Sequence, residues 1–106
     1  MAATYTNITT SPATTTLITK ATEAGSRVGN VRKITIANFS DHAGGATVNL
    51  FLNNGTDAND YYLFKNVVIP KGATLVLTDN VKFNGSKYNL KMYSTGTAPA
   101  LTVIIK

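Results

Sequence analysis

Five short segments of the chain alternate apolar and polar residues with a period of two, and a turn signal ends each segment. Successive side chains of a β-strand point to opposite faces, so this period indicates strands with one buried face. No segment shows a helical period, and the sequence therefore predicts an all-β protein. The apolar members of the segments are Ile34 and Ile36; Val48, Leu50 and Leu52; Leu75 and Leu77; Leu90 and Met92; and Leu101, Val103 and Ile105.

Glycine, proline and asparagine turns divide most of the chain into eight short predicted strands, the first of them at a sheet edge. Strands at spacings of roughly 8–14 residues are typical of an antiparallel β-sandwich, either a jelly roll or an immunoglobulin-like fold. We expect a single domain over residues 13–106, with the last strand in the core. The predicted strands are Thr14–Thr19, Val31–Asn38, Ala46–Asn53, Asp60–Ile69, Ala73–Thr78, Val81–Phe83, Tyr88–Ser94 and Pro99–Lys106.

Residues 1–12 differ from the rest of the chain. They are small, polar and rich in threonine, and they end in Ser11-Pro12 without a stable period. Such a segment has too little apolar surface to offset the entropy cost of ordering. We predict a flexible N-terminal arm that becomes ordered on contact with a partner.

The predicted strand Asp60–Ile69 does not alternate. Its apolar residues, which include Tyr61, Tyr62, Phe64 and Val68, fall on both faces of an ideal strand. A strand of this kind is either central and covered on both sides, or it lies against another molecule. We therefore expect a contact surface near this segment.

The composition leaves few groups for catalysis. The 106 residues include no cysteine, one histidine and five carboxylates, so there is no disulfide, thiolate metal site or thiol nucleophile. His42 follows Asp41 in a turn, but no nucleophile motif such as G-x-S-x-G completes a triad. We predict that the protein is not an enzyme and has no cofactor.

Neither a metal site nor a membrane segment has a specific signal. The loop at residues 54–60 carries Asn54, Asp57, Asn59 and Asp60, whose oxygens suit calcium, but their spacing does not match an EF-hand. Turns are commonly built from the same residue types, so no metal is predicted. No run approaches the roughly 20 apolar residues of a spanning helix, and no secretory leader is recognisable.

The net charge of +5, from ten Lys and Arg against five Asp and Glu, has two interpretations. The positive charge either maintains solubility or attracts an acidic partner. The basic residues are dispersed, with Arg32-Lys33 as the longest run. Charged residues are only 14% of the chain, which does not favour specific nucleic-acid binding.

Several aromatic residues are predicted to face outward. Phe51 and Tyr93 oppose the apolar faces of their strands, and one of the consecutive Tyr61 and Tyr62 must point away from the core. Outward rings are covered by a second sheet or subunit, or they stack on carbohydrate or on nucleic-acid bases. The absence of tryptophan weakens the carbohydrate interpretation.

Four of the strand motifs together resemble a known class of proteins. They are TTTLIT at 14–19, VRKITIAN at 31–38, ATVNLFL at 46–52 and VIPKGATLVL at 68–77. In this order they resemble the small β-sandwich virion proteins of tailed bacteriophages. The resemblance spans nearly the whole chain from Ala13 onward, although residues 21–29 replace a shorter turn.

The resemblance implies a structural protein of the virion, assembled in the host cytoplasm. The first hypothesis is a capsid decoration (cement) protein that binds the major capsid protein on the head as a trimer or hexamer. The alternatives are a neck or tail accessory protein beside other virion proteins, and a carbohydrate- or host-receptor-binding module. We predict that the subunit or shell contact includes Phe51, Tyr61, Tyr62, Phe64, Arg32 and Lys33.

Overall fold

The computed structural model describes residues 4–10, 12–18, 28–40, 45–56, 59–78, 81–84, 87–96 and 100–106. These residues form ten β-strands and no helix, so the all-β prediction is confirmed. The strands are β1 (Thr4–Ile8), β2 (Ala13–Ile18), β3 (Val28–Val31), β4 (Ile34–Asn38), β5 (Ala46–Asn53), β6 (Tyr61–Ile69), β7 (Thr74–Leu77), β8 (Val81–Asn84), β9 (Asn89–Thr95) and β10 (Leu101–Ile105).

The strands pair in a nested pattern. Strand β1 pairs with β10, β2 with β9, β3 with β8, β4 with β7 and β5 with β6, and each pair is antiparallel. Two further pairings, of β10 with β4 and of β9 with β5, join four of these pairs into two sheets. Sheet I has the strand order β1-β10-β4-β7, sheet II has the order β2-β9-β5-β6, and β3 with β8 forms a separate ribbon.

This topology is that of a jelly roll. The chain is one long antiparallel hairpin rolled up so that β1 and β2 enter different sheets, as do β4 and β5. In an immunoglobulin-like sandwich the first two strands would share a sheet. The predicted antiparallel sandwich is confirmed, and of its two forms the structure has the jelly roll.

The core lies between the two sheets and contains the apolar members of all five alternating segments. Each fully buried Val, Leu or Ile contributes roughly 1.5–3 kcal/mol relative to an exposed side chain. Leu52, Leu75 and Leu77 are half-buried and pack against the rest. The buried members are Ile34, Ile36, Val48, Leu50, Leu90, Met92, Leu101, Val103 and Ile105.

Residues 4–8 correct the prediction of a flexible arm over residues 1–12. They form β1, which pairs with β10 from Thr4↔Ile105 to Ile8↔Leu101 at the edge of sheet I. Ile8 is only 4% exposed and belongs to the core. The edge strand is ordered by a partner at the far end of the sequence, which local composition does not reveal. Residues 1–3 and 11 lie outside the described residues.

The predicted strand Val31–Asn38 is in fact two strands of different sheets. Val31 is buried and ends β3, whereas β4 begins at Ile34. Between them the backbone bends, because the amides of Arg32 and Lys33 both donate to the carbonyl of Lys106, at 2.8 and 3.3 Å. The bend moves the chain from the β3–β8 ribbon into sheet I.

Strand β6 is an edge strand of sheet II, which excludes the first of the two predicted alternatives, a central strand covered on both faces. Two bulges explain its irregular pattern. Leu50 lies opposite Phe64 while Phe51 lies opposite Tyr62, which leaves Leu63 as an extra residue. The second bulge lies between Phe64 and Val67. Phe64 faces Leu50 and Val67 faces Val48, so β6 advances three residues where β5 advances two.

Because of these bulges, the inward residues of β6 do not follow a period of two. Phe64 and Val67 pack on the core and Ile69 is buried, although their spacings are three and two residues. An extra residue in one strand of a pair shifts every following side chain to the opposite face. Two other predictions agree with the structure. The predicted first strand corresponds to β2, which lies at the edge of sheet II, and the last strand, β10, lies inside sheet I.

Candidate functional site

The outer face of sheet II holds a half-open groove of about 350 Å³, within the size range of small-molecule sites. Strands β2, β9 and β5 contribute one or two side chains each, and β6 with the residue before it contributes four. We call this site the aromatic groove. Its lining residues are Thr14, Asn49, Phe51, Asp60, Tyr62, Lys65, Asn66 and Tyr93.

The floor of the aromatic groove is tied together by Asn49. Its Nδ2 donates to the carbonyl of Tyr93 at 3.3 Å, and its Oδ1 accepts from the amide of Asn66 at 2.9 Å. Asn66 belongs to the second bulge of β6 and has a positive φ of 57°, so its amide is directed away from the regular ladder. One buried side chain therefore joins β5 to both of its neighbours.

One wall of the groove is an aromatic pair with a cation beside it. The rings of Phe51 and Tyr62 are 5.5 Å apart and tilted by 49°, and Lys65 Nζ lies 4.9 Å from the centre of the Tyr62 ring. Phe51 faces outward as predicted, yet it is only 7% exposed. Tyr62 is exposed, and so is Tyr93 on the far side of β5. The groove therefore runs between two accessible tyrosines.

The charges of the aromatic groove cancel. Lys65 and Asp60 are its two charged lining residues, one of each sign. Asp60 Oδ1 also accepts from Asn53 Nδ2 at 2.6 Å, which fixes the carboxylate at the end of β5. The groove is therefore neutral, although the chain as a whole carries a net charge of +5.

The outer face of sheet I has a different chemistry. Its eight outward residues form two rows across the sheet, and none of them is charged. We call it the uncharged face. Tyr5, 70% exposed, and Val76, 47% exposed, stand at its two edges. The rows are Tyr5, Ile104, Thr35 and Val76, and then Asn7, Thr102, Ala37 and Thr74.

Three cations border one end of the uncharged face. Lys33 directly precedes β4, Lys106 directly follows β10, and Arg32 lies beside Lys33; all three are exposed. The amide of Lys106 donates to the carbonyl of Lys33 at 2.9 Å, which keeps the two residues adjacent. We call these three residues the basic rim. An exposed aromatic residue, Phe39, follows β4 at the opposite end.

The six residues predicted for a contact surface do not form one patch. The structure brings Phe51 and Tyr62 together in the aromatic groove, and it places Arg32 and Lys33 in the basic rim of the other sheet. Tyr61 lies outside the groove lining and contacts Tyr88 edge to face, with ring centres 5.9 Å apart.

Phe64 was predicted to be part of the contact surface, and the structure turns it toward the core. It lies opposite Leu50, is half-buried, and packs against the core. The first bulge of β6 turns it inward, because Leu63 takes the extra position between Tyr62 and Phe64. The rest of the protein therefore covers much of its surface.

Some groove residues were not predicted. Asn49 shares the outward alternation of Phe51 on β5, so the same pattern that placed Phe51 would have found it. Lys65 faces the groove because of the first bulge of β6 and Asn66 because of the second, and neither bulge has a clear sequence signal. On the uncharged face of sheet I, Tyr5 was missed because its segment was assigned to a flexible arm.

The remaining candidates are only partly described. His42 and Asp41 lie outside the described residues, and so does Asp57 of the loop considered for calcium. Among the residues that the structure describes, no group of three or more His, Cys, Asp or Glu side chains is placed to hold a metal ion. The described ranges also contain no helix that is long and apolar enough to span a membrane.

No protein-family model matches the chain, and no curated protein matches it. Among solved structures, it is similar to a chain in the structure of the infectious bursal disease virus Gt strain, with 12% sequence identity and a TM-score of 0.48. The match covers 98% of this chain but only 30% of that viral chain. A similarity at this level assigns no function.

Proposed function

We propose that the chain is a non-enzymatic structural protein of a tailed-phage virion, a decoration protein that binds the outer surface of the capsid as a homo-oligomer. The observation that carries this proposal is the uncharged face with its basic rim. The resemblance of four strand motifs to virion proteins of tailed phages supports a capsid as the partner.

The uncharged face has the composition of a docking surface. Its centre consists of β-branched and small side chains, and exposed Tyr5 and Val76 stand at the edges. Protein interfaces have few charges at the centre and a polar rim. The basic rim of Arg32, Lys33 and Lys106 lies at one end, where it complements an acidic partner surface. The phage shell protein would then present an apolar patch bordered by carboxylates.

The size of this face explains why an oligomer is part of the proposal. With strands about 4.8 Å apart and a rise of about 3.4 Å per residue, four strands of five residues cover roughly 300 Å². A stable interface usually buries about 800 Å² on each partner. One copy would therefore bind weakly, and a trimer or hexamer on repeated shell sites would bind tightly through avidity.

Cosedimentation with capsids tests the proposal. Purified protein is mixed with undecorated shells of the phage that encodes it, and the bound fraction is measured after pelleting. Val76→Glu places a carboxylate on the uncharged face, and we expect it to weaken binding about tenfold or more because a buried unpaired charge is costly. Val68→Glu is the matched control, since Val68 is 58% exposed on the edge strand of sheet II.

The outcomes separate the alternatives. Saturable binding that is lost in Val76→Glu and kept in Val68→Glu supports docking through the uncharged face. Equal binding of both variants, or loss only in Val68→Glu, refutes that face. If the protein does not bind shells but does bind purified necks or tails, it is a neck or tail component. Light scattering then tests the oligomer, which should have about three or six times the 11.2 kDa of one chain.

A further inference from the structure

We propose that the aromatic groove is a saccharide-binding site that takes a neutral sugar, an activity beyond the docking of the uncharged face on a capsid. The groove lies on sheet II, whereas the uncharged face lies on sheet I. A protein docked through sheet I would leave the groove open to the surroundings. The two activities are therefore compatible in one molecule.

The groove combines ring faces with free polar groups. The side chains of Tyr62, Tyr93, Lys65 and Asn66 make no side-chain hydrogen bond to any other described residue, and all four are exposed. A sugar ring offers apolar C–H faces that pack on aromatic rings, and hydroxyls that both donate and accept hydrogen bonds. Phenol, ammonium and amide groups around one groove match those hydroxyls.

The spacing of the two tyrosines suits a ligand of this size. Tyr62 lies on β6 opposite Phe51, and Tyr93 lies on β9 opposite Asn49, two residues away along β5. With two strand spacings between them, their backbones are about 12 Å apart. Phe51 and Asn49 form the floor between them. A sugar ring resting on this floor would contact a tyrosine at each side.

The charge of the lining selects a neutral ligand. Lys65 and Asp60 cancel, and the basic rim belongs to the end of the other sheet. An acidic saccharide or a nucleic-acid phosphate would meet the Asp60 carboxylate without an excess of positive charge to offset it. A neutral sugar can use the carboxylate as an acceptor and the ammonium as a donor.

The groove is also rigid before any ligand arrives. Asn49 holds the backbone of Tyr93 and the bulge at Asn66 in place, and Phe51 supports Tyr62 from below. Preorganisation lowers the entropy cost of binding. The groove therefore needs little rearrangement to take a ligand.

Nuclear magnetic resonance titration of the isolated protein tests this site. The probes are lactose, maltose, cellobiose and N,N′-diacetylchitobiose, with 3′-sialyllactose as the acidic comparison. We expect at least one neutral disaccharide to shift the amide signals of Asn49, Phe51 and Asn66 saturably. Tyr62→Ala and Tyr93→Ala should each weaken that binding about tenfold or more, because each removes one ring face.

Tyr5→Ala is the matched control, since Tyr5 is an exposed tyrosine on the other sheet, and its affinity should equal that of the wild type. Binding is compared only between proteins whose melting temperatures match that of the wild type, so Tyr93→Ala alone is used where Tyr62→Ala is less stable. No shift with any neutral disaccharide overturns the proposal, and so does binding of sialyllactose alone. Capsid cosedimentation is a separate assay, so its failure would leave this result intact.

Discussion

Replacing Ile8 by alanine distinguishes an N-terminal strand from a flexible arm. Ile8 is 4% exposed and lies in the core, opposite Leu101 of β10. The change removes three carbon atoms, which corresponds to about 2.4 kcal/mol at roughly 0.8 kcal/mol per buried carbon. The cavity left behind adds to this cost, and the edge position of β1 allows partial relaxation. We expect a loss of about 3 kcal/mol, within the usual range for Ile→Ala.

Equilibrium unfolding in urea measures this loss. For a domain of this size, about 3 kcal/mol lowers the midpoint by roughly 2 M urea and the melting temperature by more than about 10 °C. Tyr5→Ala is the matched control in the same strand, because its exposed side chain should change stability by less than about 0.5 kcal/mol. If Ile8→Ala unfolds at the wild-type midpoint, residues 4–8 do not pack on the core, and the strand assignment is wrong.

Three further substitutions test individual contacts by the same urea titration. Asn49→Ala should destabilise the protein by about 2 kcal/mol, because the amide of Asn66 loses its acceptor and the carbonyl of Tyr93 loses a donor. A change below about 0.5 kcal/mol would show that the bulge does not need this side chain. Ser94→Ala should stabilise the protein by up to about 1 kcal/mol, since the buried Ser94 hydroxyl has no hydrogen-bond partner among the described residues, and a loss of stability would contradict this. Gly96→Ala should lower the free energy of unfolding by about 2 kcal/mol or more, because the φ of Gly96 is +147° and an added Cβ would lie 2.9 Å from the carbonyl oxygen of Gly45. Wild-type stability would show that the backbones at Gly96 and Gly45 can move apart.

The fold class was predictable because its main signal is local. Alternation such as that of Leu101, Val103 and Ile105 depends only on neighbouring residues, and the structure buries all three. The N-terminal strand was not predictable by the same method. In the segment Thr4–Ile8 a single inward residue, Ile8, is strongly apolar, and its pairing partner is β10. A pairing between distant segments leaves little trace in the composition of either one.

The candidate sites were predictable only in part. Phe51 was predicted to face outward, as was one of the pair Tyr61 and Tyr62, and Phe51 and Tyr62 do line the same groove. The bulges of β6 could not be foreseen, and they decide that Phe64 faces the core while Lys65 and Asn66 reach the groove. The uncharged face was missed because it is defined by the absence of charged residues from eight outward positions. Those positions can be identified as neighbours only after the register of sheet I is known.

The nested pairing of the strands has a consequence for the order of folding. The innermost pair, β5 with β6, closes across residues 54–60, whereas β1 can pair only after β10 is in place. Each inner pair shortens the chain that the next pair must close, which lowers the entropy cost of that step. Folding should therefore proceed outward from β5 and β6, with β1 joining last.

In this order, β1 is synthesised well before β10, the strand with which it pairs. In stopped-flow experiments, we expect Ile8→Ala to accelerate unfolding and to leave the refolding rate nearly unchanged, because a strand absent from the transition state affects only the unfolding rate. A slower refolding rate would show that β1 joins early. On the ribosome, β1 would stay unpaired until β10 has emerged, so the sheet that carries the uncharged face would be completed only then.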